Sequence, residues 1–180
     1  MKILTLLRHA KSGWDDTVER DFDRPLNRRG RKAARTVGRE MQSLGLEFDQ
    51  VIASPAVRVV ETLADVSDGY GRAIEPNYDQ RIYLALTSTL LELVQATDDR
   101  VERLLLVGHN PGLESLAMLL SRDDGDSARE EVAVKYPTAT LAEIAFPVEH
   151  WSEVREGIGQ IRRFIRPRDL DPELGPDEDS

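Results

Sequence analysis

The segment Ile3-Leu4-Thr5-Leu6-Leu7-Arg8-His9 carries the clearest structural signal in this 180-residue chain. Its first five residues are apolar apart from one threonine, and a short apolar run with polar flanks is typical of a strand in a sheet covered on both faces. The run ends at Arg8 and His9. We therefore predict a buried strand over residues 3–7 whose carboxyl end presents these two side chains.

Helical and strand patterns alternate along the rest of the chain. Helices are predicted over residues 27–44, 88–97 and 110–120 and from residue 54 onward, and strands over residues 50–53, 73–75, 104–107, 140–146 and 160–165. Strands that alternate with helices are typical of parallel sheets, because each helix returns the chain to the same edge. The sequence predicts an α/β fold: a single three-layer α/β/α domain with a mostly parallel central sheet.

Capping residues precede three of the predicted helices. Asn27 is placed to cap the first helix. Ser54-Pro55 and Asn110-Pro111 each combine an N-cap residue with a proline, which is favourable at the first helical position. We therefore expect two helices to begin directly at these pairs, close to the ends of strands.

The composition excludes several classes of protein. The 24 Lys and Arg residues against 33 Asp and Glu residues give a net charge of −9, which repels a nucleic-acid backbone, so no nucleic-acid partner is expected. The absence of cysteine excludes thiol nucleophiles, thiolate zinc sites and disulfides. Residues 3–7 are too few for a signal peptide core or a membrane span, so we expect no membrane association and a cytoplasmic location.

The composition changes near residue 167. Residues 167–180 contain three prolines and six acidic residues, and few large apolar side chains that could offset ordering entropy by burial. We predict one domain over residues 1–166, followed by an acidic, flexible tail over residues 167–180.

Polar side chains follow three of the predicted strands at the point where each strand ends. They are Arg8 and His9 after the first, Ser54 and then Arg58 after the second, and His109 after the strand over residues 104–107. In open parallel sheets such ends converge on one crevice. Two predicted helices also begin there, and their free N–H groups and positive dipole ends favour an anion. The sequence therefore predicts a phosphate-binding site.

Each residue type suits a phosphoryl group in a different way. The planar guanidinium groups of Arg8 and Arg58 can bind its oxygens bidentately. A neutral imidazole can attack phosphorus, and nearby arginines lower the pKa of His9, so His9 is the candidate nucleophile. His109 can donate a hydrogen bond to an equatorial oxygen and stabilise the transition state. Water would then hydrolyse phosphorylated His9.

Competing catalytic motifs are absent from the sequence. It contains no glycine-rich loop ending in Gly-Lys-Ser/Thr, no Gly-x-Ser-x-Gly and no His-Glu-x-x-His. Two histidines could bind a metal, but no third histidine or carboxylate lies at a recognisable ligand spacing. We therefore expect neither a metal nor an organic cofactor.

Four motifs of this chain resemble those of the histidine phosphatase superfamily. They are Leu7-Arg8-His9-Ala10-Lys11-Ser12-x-Trp14, Arg24-Pro25-Leu26-Asn27-x-Arg29-Gly30, Ser54-Pro55-x-x-Arg58 and Val107-Gly108-His109-Asn110-Pro111-Gly112. The resemblance covers residues 2–168 and is strongest to the SixA-like branch of phosphohistidine phosphatases. It implies a phosphoglycerate mutase-like fold, a phosphorylated His9, and a phosphate pocket completed by Arg8, Arg58 and His109.

One feature of the family is missing at its usual place. Many phosphomonoesterases of the superfamily have an acidic proton donor in a segment that corresponds to residues 81–85, where this chain has no carboxylate. An alkoxide leaving group needs a proton more than the imidazole of phosphohistidine does. We therefore expect the labile P–N bond of phosphohistidine to be the preferred target.

Further residues are candidates for substrate contacts. Ser12 and Thr138 could donate hydrogen bonds to phosphate, although such side chains in turns often bond to their own backbone. Trp14 either packs on the side chains beneath it or borders the substrate entrance.

The first predicted helix is strongly basic. Its cations are Arg28, Arg29, Arg31, Lys32, Arg35 and Arg39. They form either a solvated face or a docking surface that attracts an acidic phosphoprotein.

The sequence thus predicts a phosphatase that removes phosphate from phosphohistidine in a signalling or phosphotransfer protein. The catalytic residues are predicted to be Arg8, His9, Arg58 and His109. One alternative is a small-molecule phosphomonoesterase with the same pocket. The other, from a different class, is a phosphoanion-binding module without turnover.

Overall fold

The structure is a computed structural model that describes residues 1–14, 18, 20–125 and 127–175. Its strands are β1 (Lys2–Arg8), β2 (Gln50–Ala53), β3 (Asn77–Tyr78), β4 (Arg103–Gly108), β5 (Leu141–Phe146) and β6 (Gln160–Ile165). Its α-helices are α1 (Arg28–Ser43), α2 (Val57–Tyr70), α3 (Thr87–Gln95), α4 (Gly112–Leu120), α5 (Ser127–Val134) and α6 (Pro167–Leu170). Strands and helices alternate through most of the chain.

The strands form one sheet in the order β3-β2-β4-β1-β5-β6. The strand β1 lies at its centre and is parallel to β4, with Arg8 opposite Gly108. The strand β5 is antiparallel to both of its neighbours, β1 and β6, whereas the pairs β2–β4 and β2–β3 are parallel. The predicted α/β fold with a mostly parallel sheet is confirmed.

Side chains that alternate along the buried strands form a separate core on each face of the sheet. In β4, Leu104 and Leu106 pack on the face covered by α3, α4 and α5. Leu105 and Val107 pack on the other face, against α1 and α2. All four side chains are fully buried, as the continuous apolar run of a doubly covered strand requires. The domain therefore has three layers.

Two helix starts differ from the prediction. Helix α2 begins at Val57 rather than at the Ser54-Pro55 pair, because Ala56 is still extended, with φ −56° and ψ 143°. Helix α4 begins at Gly112, and the Asn110 side chain accepts a hydrogen bond from the N–H of Glu114 at 3.2 Å. Both pairs therefore form turns between strand and helix, and neither proline is a first helical residue.

Other differences concern weakly patterned segments. The short edge strand β3 lies at Asn77–Tyr78, whereas the sequence predicted a strand over residues 73–75. Helix α5 was not predicted, because its segment is mostly polar. The buried side chain of Val132 and hydrogen bonds from Arg129 to Ser121 and to the main chain of Met118 fix this helix against α4.

The segment after β6 is also more ordered than predicted. Pro167–Leu170 form α6, and Leu174 is buried in the core beside α1. The Nζ atom of Lys32 lies 3.4 Å from a carboxylate oxygen of Asp171 and 2.8 Å from one of Glu173. Residues 167–175, which the sequence assigned to the tail, thus pack on the domain through two leucines and these ion pairs. Residues 176–180 lie outside the described residues.

Candidate active site

The carboxyl ends of β1, β2 and β4 bring the predicted residues together. The main-chain N–H groups of His9 and Ser54 donate to the carbonyls of Gly108 and Val107, each at 3.1 Å, so the three strand ends stay level. One cleft at this edge is lined by all six predicted site residues, Arg8, His9, Ser12, Arg58, His109 and Thr138. The sequence prediction of a shared crevice agrees with this geometry.

His9 lies at the base of the cleft with a defined tautomer. Its Nδ1 atom is 2.7 Å from the carbonyl oxygen of Ala10, which can only accept, so Nδ1 carries the proton. The Nε2 atom then has an unshared electron pair. Burial lowers the pKa of His9 well below its ordinary value, and the positive charges of Arg8 and Arg58 lower it further. Desolvation is thus a larger cause than the arginines that the sequence indicated. His9 is neutral and suited to nucleophilic attack.

The hydroxyl group of Thr62 connects the His9 loop to the helix that carries Arg58. It accepts a hydrogen bond from the N–H of Ala10 at 2.9 Å and donates to the main-chain oxygen of Arg58 at 2.6 Å. Thr62 is fully buried in α2. The main chain beside His9 is therefore linked directly to the helix that carries Arg58.

Arg8 is oriented by the segment that precedes β5. Its Nη1 donates to the main-chain oxygen of Tyr136 at 3.0 Å, and the side chain of Asn110 donates to the same oxygen at 2.9 Å. In the same segment, Ala139 has a positive φ of 55° and donates its N–H to the main-chain oxygen of His9 at 2.9 Å. A non-glycine residue in this region is strained, and such strain is common at functional sites.

The guanidinium group of Arg58 is held by Asp21. Its Nη1 donates to the main-chain oxygen of Asp21 at 2.8 Å, and its Nη2 donates to the carboxylate at 3.0 Å. Within the described residues, the buried Nε–H of Arg58 meets no acceptor, which is costly unless a ligand supplies one. A phosphoryl group that binds Arg58 must therefore share the guanidinium with Asp21 or displace it.

The imidazole of His109 makes hydrogen bonds through both nitrogens. Its Nδ1 lies 3.3 Å from Nη2 of Arg58, which can only donate, and its Nε2 lies 2.8 Å from the Ser54 hydroxyl. The proton is therefore on Nε2, directed to Ser54. The predicted donation from His109 to phosphate requires the tautomer with the proton on Nδ1. The Ser54 hydroxyl stabilises that tautomer when it donates its hydrogen to Nε2. Ser54 thus bonds to His109 and also accepts a hydrogen bond from the N–H of Ala56 at 3.3 Å, but Ala56, not Ser54, is the N-cap residue of α2.

The stability of the protein should decrease in acid through His109. Burial, followed by the charge of Arg58, lowers the pKa of His109 to about 3. The unfolded chain, with a histidine pKa of about 6.5, then binds more protons than the folded chain, so the unfolding free energy falls as the pH falls below about 6.5. Between about pH 7 and pH 5 the loss from this residue is about 2 kcal/mol. Urea unfolding of wild-type protein and His109→Gln at several pH values measures it.

The control for that experiment is His150→Gln. His150 is exposed, and its hydrogen bond with Asp99 raises the pKa of the imidazole. Its protonation therefore favours the folded state, so this replacement should make the pH dependence steeper, whereas His109→Gln should make it flatter. Parallel profiles for wild-type protein and His109→Gln would show that His109 is not held neutral by the fold.

Asp21 is a pocket residue that the sequence analysis missed. Besides Arg58, it accepts a hydrogen bond from the Tyr83 hydroxyl at 2.5 Å. Its partial burial raises the pKa of the carboxyl, but the hydrogen bond from Tyr83 and the charge of Arg58 outweigh this effect, and the net pKa lies below the ordinary value. A carboxylate from outside residues 81–85 therefore does reach the cleft, but it is ionised near neutral pH.

Arg24 and Trp14 form the outer part of the cleft. The Arg24 guanidinium stacks on the Trp14 ring at 4.9 Å, and its Nε lies 3.1 Å from an oxygen of Asp21. Trp14 is 59% exposed and lines the cleft, so it borders the entrance rather than packing beneath it. Arg24 belongs to a quoted motif but was not assigned to the site, because no strand end or helix start marks its position.

The loop after His9 is fixed against the first turn of α1. The carbonyl of Lys11 accepts a hydrogen bond from the N–H of Asn27, whose side chain caps α1 by accepting from the N–H of Gly30 at 2.8 Å. A Cβ at Gly30 would lie 2.1 Å from the Lys11 carbonyl oxygen. Glycine is therefore required here for the close approach of helix and loop.

Two further properties concern the described residues as a whole. No three of their histidine, aspartate or glutamate side chains are grouped so that they could hold a metal ion. None of their helices combines the length and apolar character that a membrane crossing needs.

Comparisons with known proteins define the family. The model of the histidine phosphatase superfamily, branch 1, matches residues 4–83. An uncharacterised protein of Mycobacterium tuberculosis is 34% identical over 164 residues, which cover 90% of this chain and 100% of the relative. The chain belongs to the histidine phosphatase superfamily.

Solved structures agree with the motifs. A protein of Agrobacterium tumefaciens assigned as phosphohistidine phosphatase SixA is 28% identical, with a TM-score of 0.74 over 92% of this chain and 98% of that one. A protein of Nakamurella multipartitia with the same assignment is 26% identical, with a TM-score of 0.76 over 92% of this chain and 96% of that one. The resemblance to the SixA-like branch is confirmed.

Proposed function

We propose that this protein is a phosphatase that hydrolyses phosphohistidine in a signalling or phosphotransfer protein, through a phosphorylated His9. The observation that carries the proposal is the state of His9. It is buried and neutral, with its proton fixed on Nδ1 by Ala10, in a cleft that Arg8 and Arg58 also line. Superfamily membership and the SixA-like neighbours support phosphatase activity.

The first step transfers the phosphoryl group to the enzyme. The Nε2 lone pair of His9 attacks phosphorus in line, while the P–N bond of the substrate breaks and its electron pair leaves with the substrate imidazole, which takes a proton from solvent. Arg8 and Arg58 neutralise the charge on the equatorial oxygens. In the second step water attacks phosphorus and His9 leaves, giving inorganic phosphate and the original neutral imidazole.

The choice of phosphohistidine depends on the protonation state of Asp21. An alkoxide leaving group requires a proton in the transition state, whereas a protonated imidazole leaves readily. The carboxyl in the cleft has a lowered pKa and accepts hydrogen bonds from Tyr83 and Arg58, so it is a poor proton donor. The same carboxylate also favours a cationic or neutral leaving group over an anionic one.

A phosphomonoesterase is the second candidate, and Asp21 is the observation that favours it. If substrate binding draws Arg58 toward the phosphoryl group, Asp21 loses one source of stabilisation for its charge, and its pKa rises toward the usual value. The pair of Asp21 and Tyr83 could then deliver a proton to an alkoxide.

A substrate comparison distinguishes these two functions. We expect kcat/KM for a histidine-phosphorylated peptide to exceed that for a sugar phosphate by about a hundredfold or more. General acid catalysis contributes on this scale, and the sugar phosphate reaction would lack it because Asp21 is ionised. Asp21→Asn should leave the phosphohistidine rate within about threefold and should not affect the ratio. A faster sugar phosphate reaction that Asp21→Asn abolishes would establish the monoesterase, and phosphate binding with no turnover of any substrate would establish a binding module.

A further inference from the structure

Basic side chains collect on one side of the cleft entrance in a protein with a net charge of −9. They are Lys11, Arg29, Lys135, Arg166 and Arg168, and they line a shallow groove that we term the basic rim. The groove shares the lining residues Lys11 and Thr138 with the active-site cleft, so the two are adjacent. A positive surface at this place attracts anions to the entrance.

Three other cations of α1 are paired with carboxylates of the protein itself. Arg31 lies 3.7 Å from Glu61, Arg35 lies 3.3 Å from Asp65, and Lys32 pairs with two carboxylates of the segment after β6. Internal carboxylates therefore offset part of the basic face that the sequence suggested for docking, and Arg29 is the α1 cation that lines the rim.

Arg29 and Arg168 differ from those paired cations. Both are exposed, and within the described residues neither forms an ion pair. Arg166, in contrast, is held by two hydrogen bonds to Asp169, at 2.9 and 3.0 Å. The rim thus presents two exposed guanidinium groups, those of Arg29 and Arg168, beside Arg166, whose charge Asp169 offsets. The exposed pair suits the carboxylates of a partner surface.

Exposed apolar side chains also border the entrance. Trp14 and Leu84 line the active-site cleft and are 59% and 55% exposed, and Leu86 nearby is 73% exposed. Leu84 also has a positive φ of 47°, which holds its large side chain outward in a conformation that leucine rarely adopts. Aromatic, apolar and arginine side chains around one opening are typical of protein interfaces rather than of pockets for small metabolites.

We propose that the basic rim docks an acidic surface of a phosphoprotein substrate beside its phosphorylated histidine. This inference rests on the proposed function and adds its substrate class: the phosphorylated residue should be flanked by aspartate or glutamate side chains. The rim then raises the local concentration of the correct partner and lowers KM, without contact with the reacting phosphorus.

The test compares two histidine-phosphorylated peptides that differ only in flanking residues, glutamate in one and glutamine in the other. Wild-type protein should hydrolyse the acidic peptide with a kcat/KM about tenfold higher, through KM, and the advantage should shrink as salt screens the charges. The double variant Arg29→Glu with Arg168→Glu should lose this preference, while its rate with free phosphohistidine stays unchanged. The matched control, Arg39→Glu with Arg155→Glu, makes the same change in net charge at exposed positions outside the cleft and the rim.

Equal rates for the two peptides with wild-type protein would overturn the proposal, and so would equal losses in the rim variant and the control. Fluorescence anisotropy of the unphosphorylated peptides measures docking even if phosphohistidine is not the substrate. Failure of the proposed function is seen separately, as an absence of turnover with the phosphorylated peptides. If the acidic peptide binds only after residues 176–180 are removed, the occupant of the rim is the acidic sequence Asp177-Glu178-Asp179 of this chain, and the proposal fails.

Discussion

Replacement of His9 by asparagine should lower kcat by about four orders of magnitude and abolish the phosphoenzyme. Asparagine can still occupy the site, but it has no basic nitrogen to attack phosphorus, so the two-step route is closed and only slow attack by water remains. Rapid quenching in alkali, in which phosphohistidine survives, followed by acid treatment, in which it hydrolyses, detects the intermediate in wild-type protein and shows its absence in the variant.

The same experiment separates the two histidines of the cleft. Both nitrogens of His109 make hydrogen bonds, to Arg58 and Ser54, whereas Nε2 of His9 retains its lone pair. A phosphoenzyme that persists in His9→Asn would assign the nucleophile to His109, and unchanged turnover would end the covalent mechanism. His150→Asn is the control, because His150 is exposed and pairs with Asp99 instead of lining the cleft.

Replacement of Arg58 by alanine should lower kcat/KM by about a thousandfold, within the range for an arginine that stabilises a phosphoryl transition state. Two effects add. The phosphoryl oxygens lose a guanidinium group, and the carboxylate of Asp21 is left without its partner at 3.0 Å, where it repels the incoming dianion. The kcat/KM of Arg58→Lys should lie between those of the wild-type protein and Arg58→Ala, because lysine retains the charge but lacks the planar bidentate geometry.

The double variant Arg58→Ala with Asp21→Asn tests the second effect. Its kcat/KM should be about tenfold higher than that of Arg58→Ala, because the uncompensated negative charge of Asp21 is gone. It should stay below that of the wild-type protein, because the missing guanidinium is not replaced. Steady-state kinetics of the four proteins in this cycle measure the coupling. Strictly additive losses would show that Asp21 and Arg58 act independently in catalysis, despite their contact in the structure.

The sequence predicted the parts of the fold that repeat a physical pattern. The strand over residues 3–7 and the run Leu104 to Val107 are apolar because both faces of the sheet are covered, and both were placed correctly. Segments whose position depends on tertiary contacts were not. Helix α5 depends on the burial of Val132 and on the bonds of Arg129. The segment after β6 depends on Leu174, whose neighbours in the sequence are acidic residues, prolines and a glycine.

The site shows the same division. Arg8, His9 and His109 stand at strand ends, and strand ends converge in any parallel sheet, so their meeting could be predicted. Asp21 and Arg24 reach the cleft from a loop without periodicity, and only the folded path of that loop reveals them. The hydrogen bond between His109 and Ser54 could not be predicted from the sequence either. The preference of serine for N-cap positions assigned the Ser54 hydroxyl to a main-chain N–H of the following helix.

The buried hydroxyl of Thr62 joins the loop after His9 to the helix of Arg58, and this has a consequence for how such a protein changes over time. The main chain at His9 and at Arg58 is joined inside the protein, whereas Arg29, Arg168 and Trp14 occupy exposed positions around the entrance. On the proposed function, substitutions at the entrance would change the partner while the reaction stays constant. An engineer who wishes to redirect it should vary the entrance and preserve Thr62.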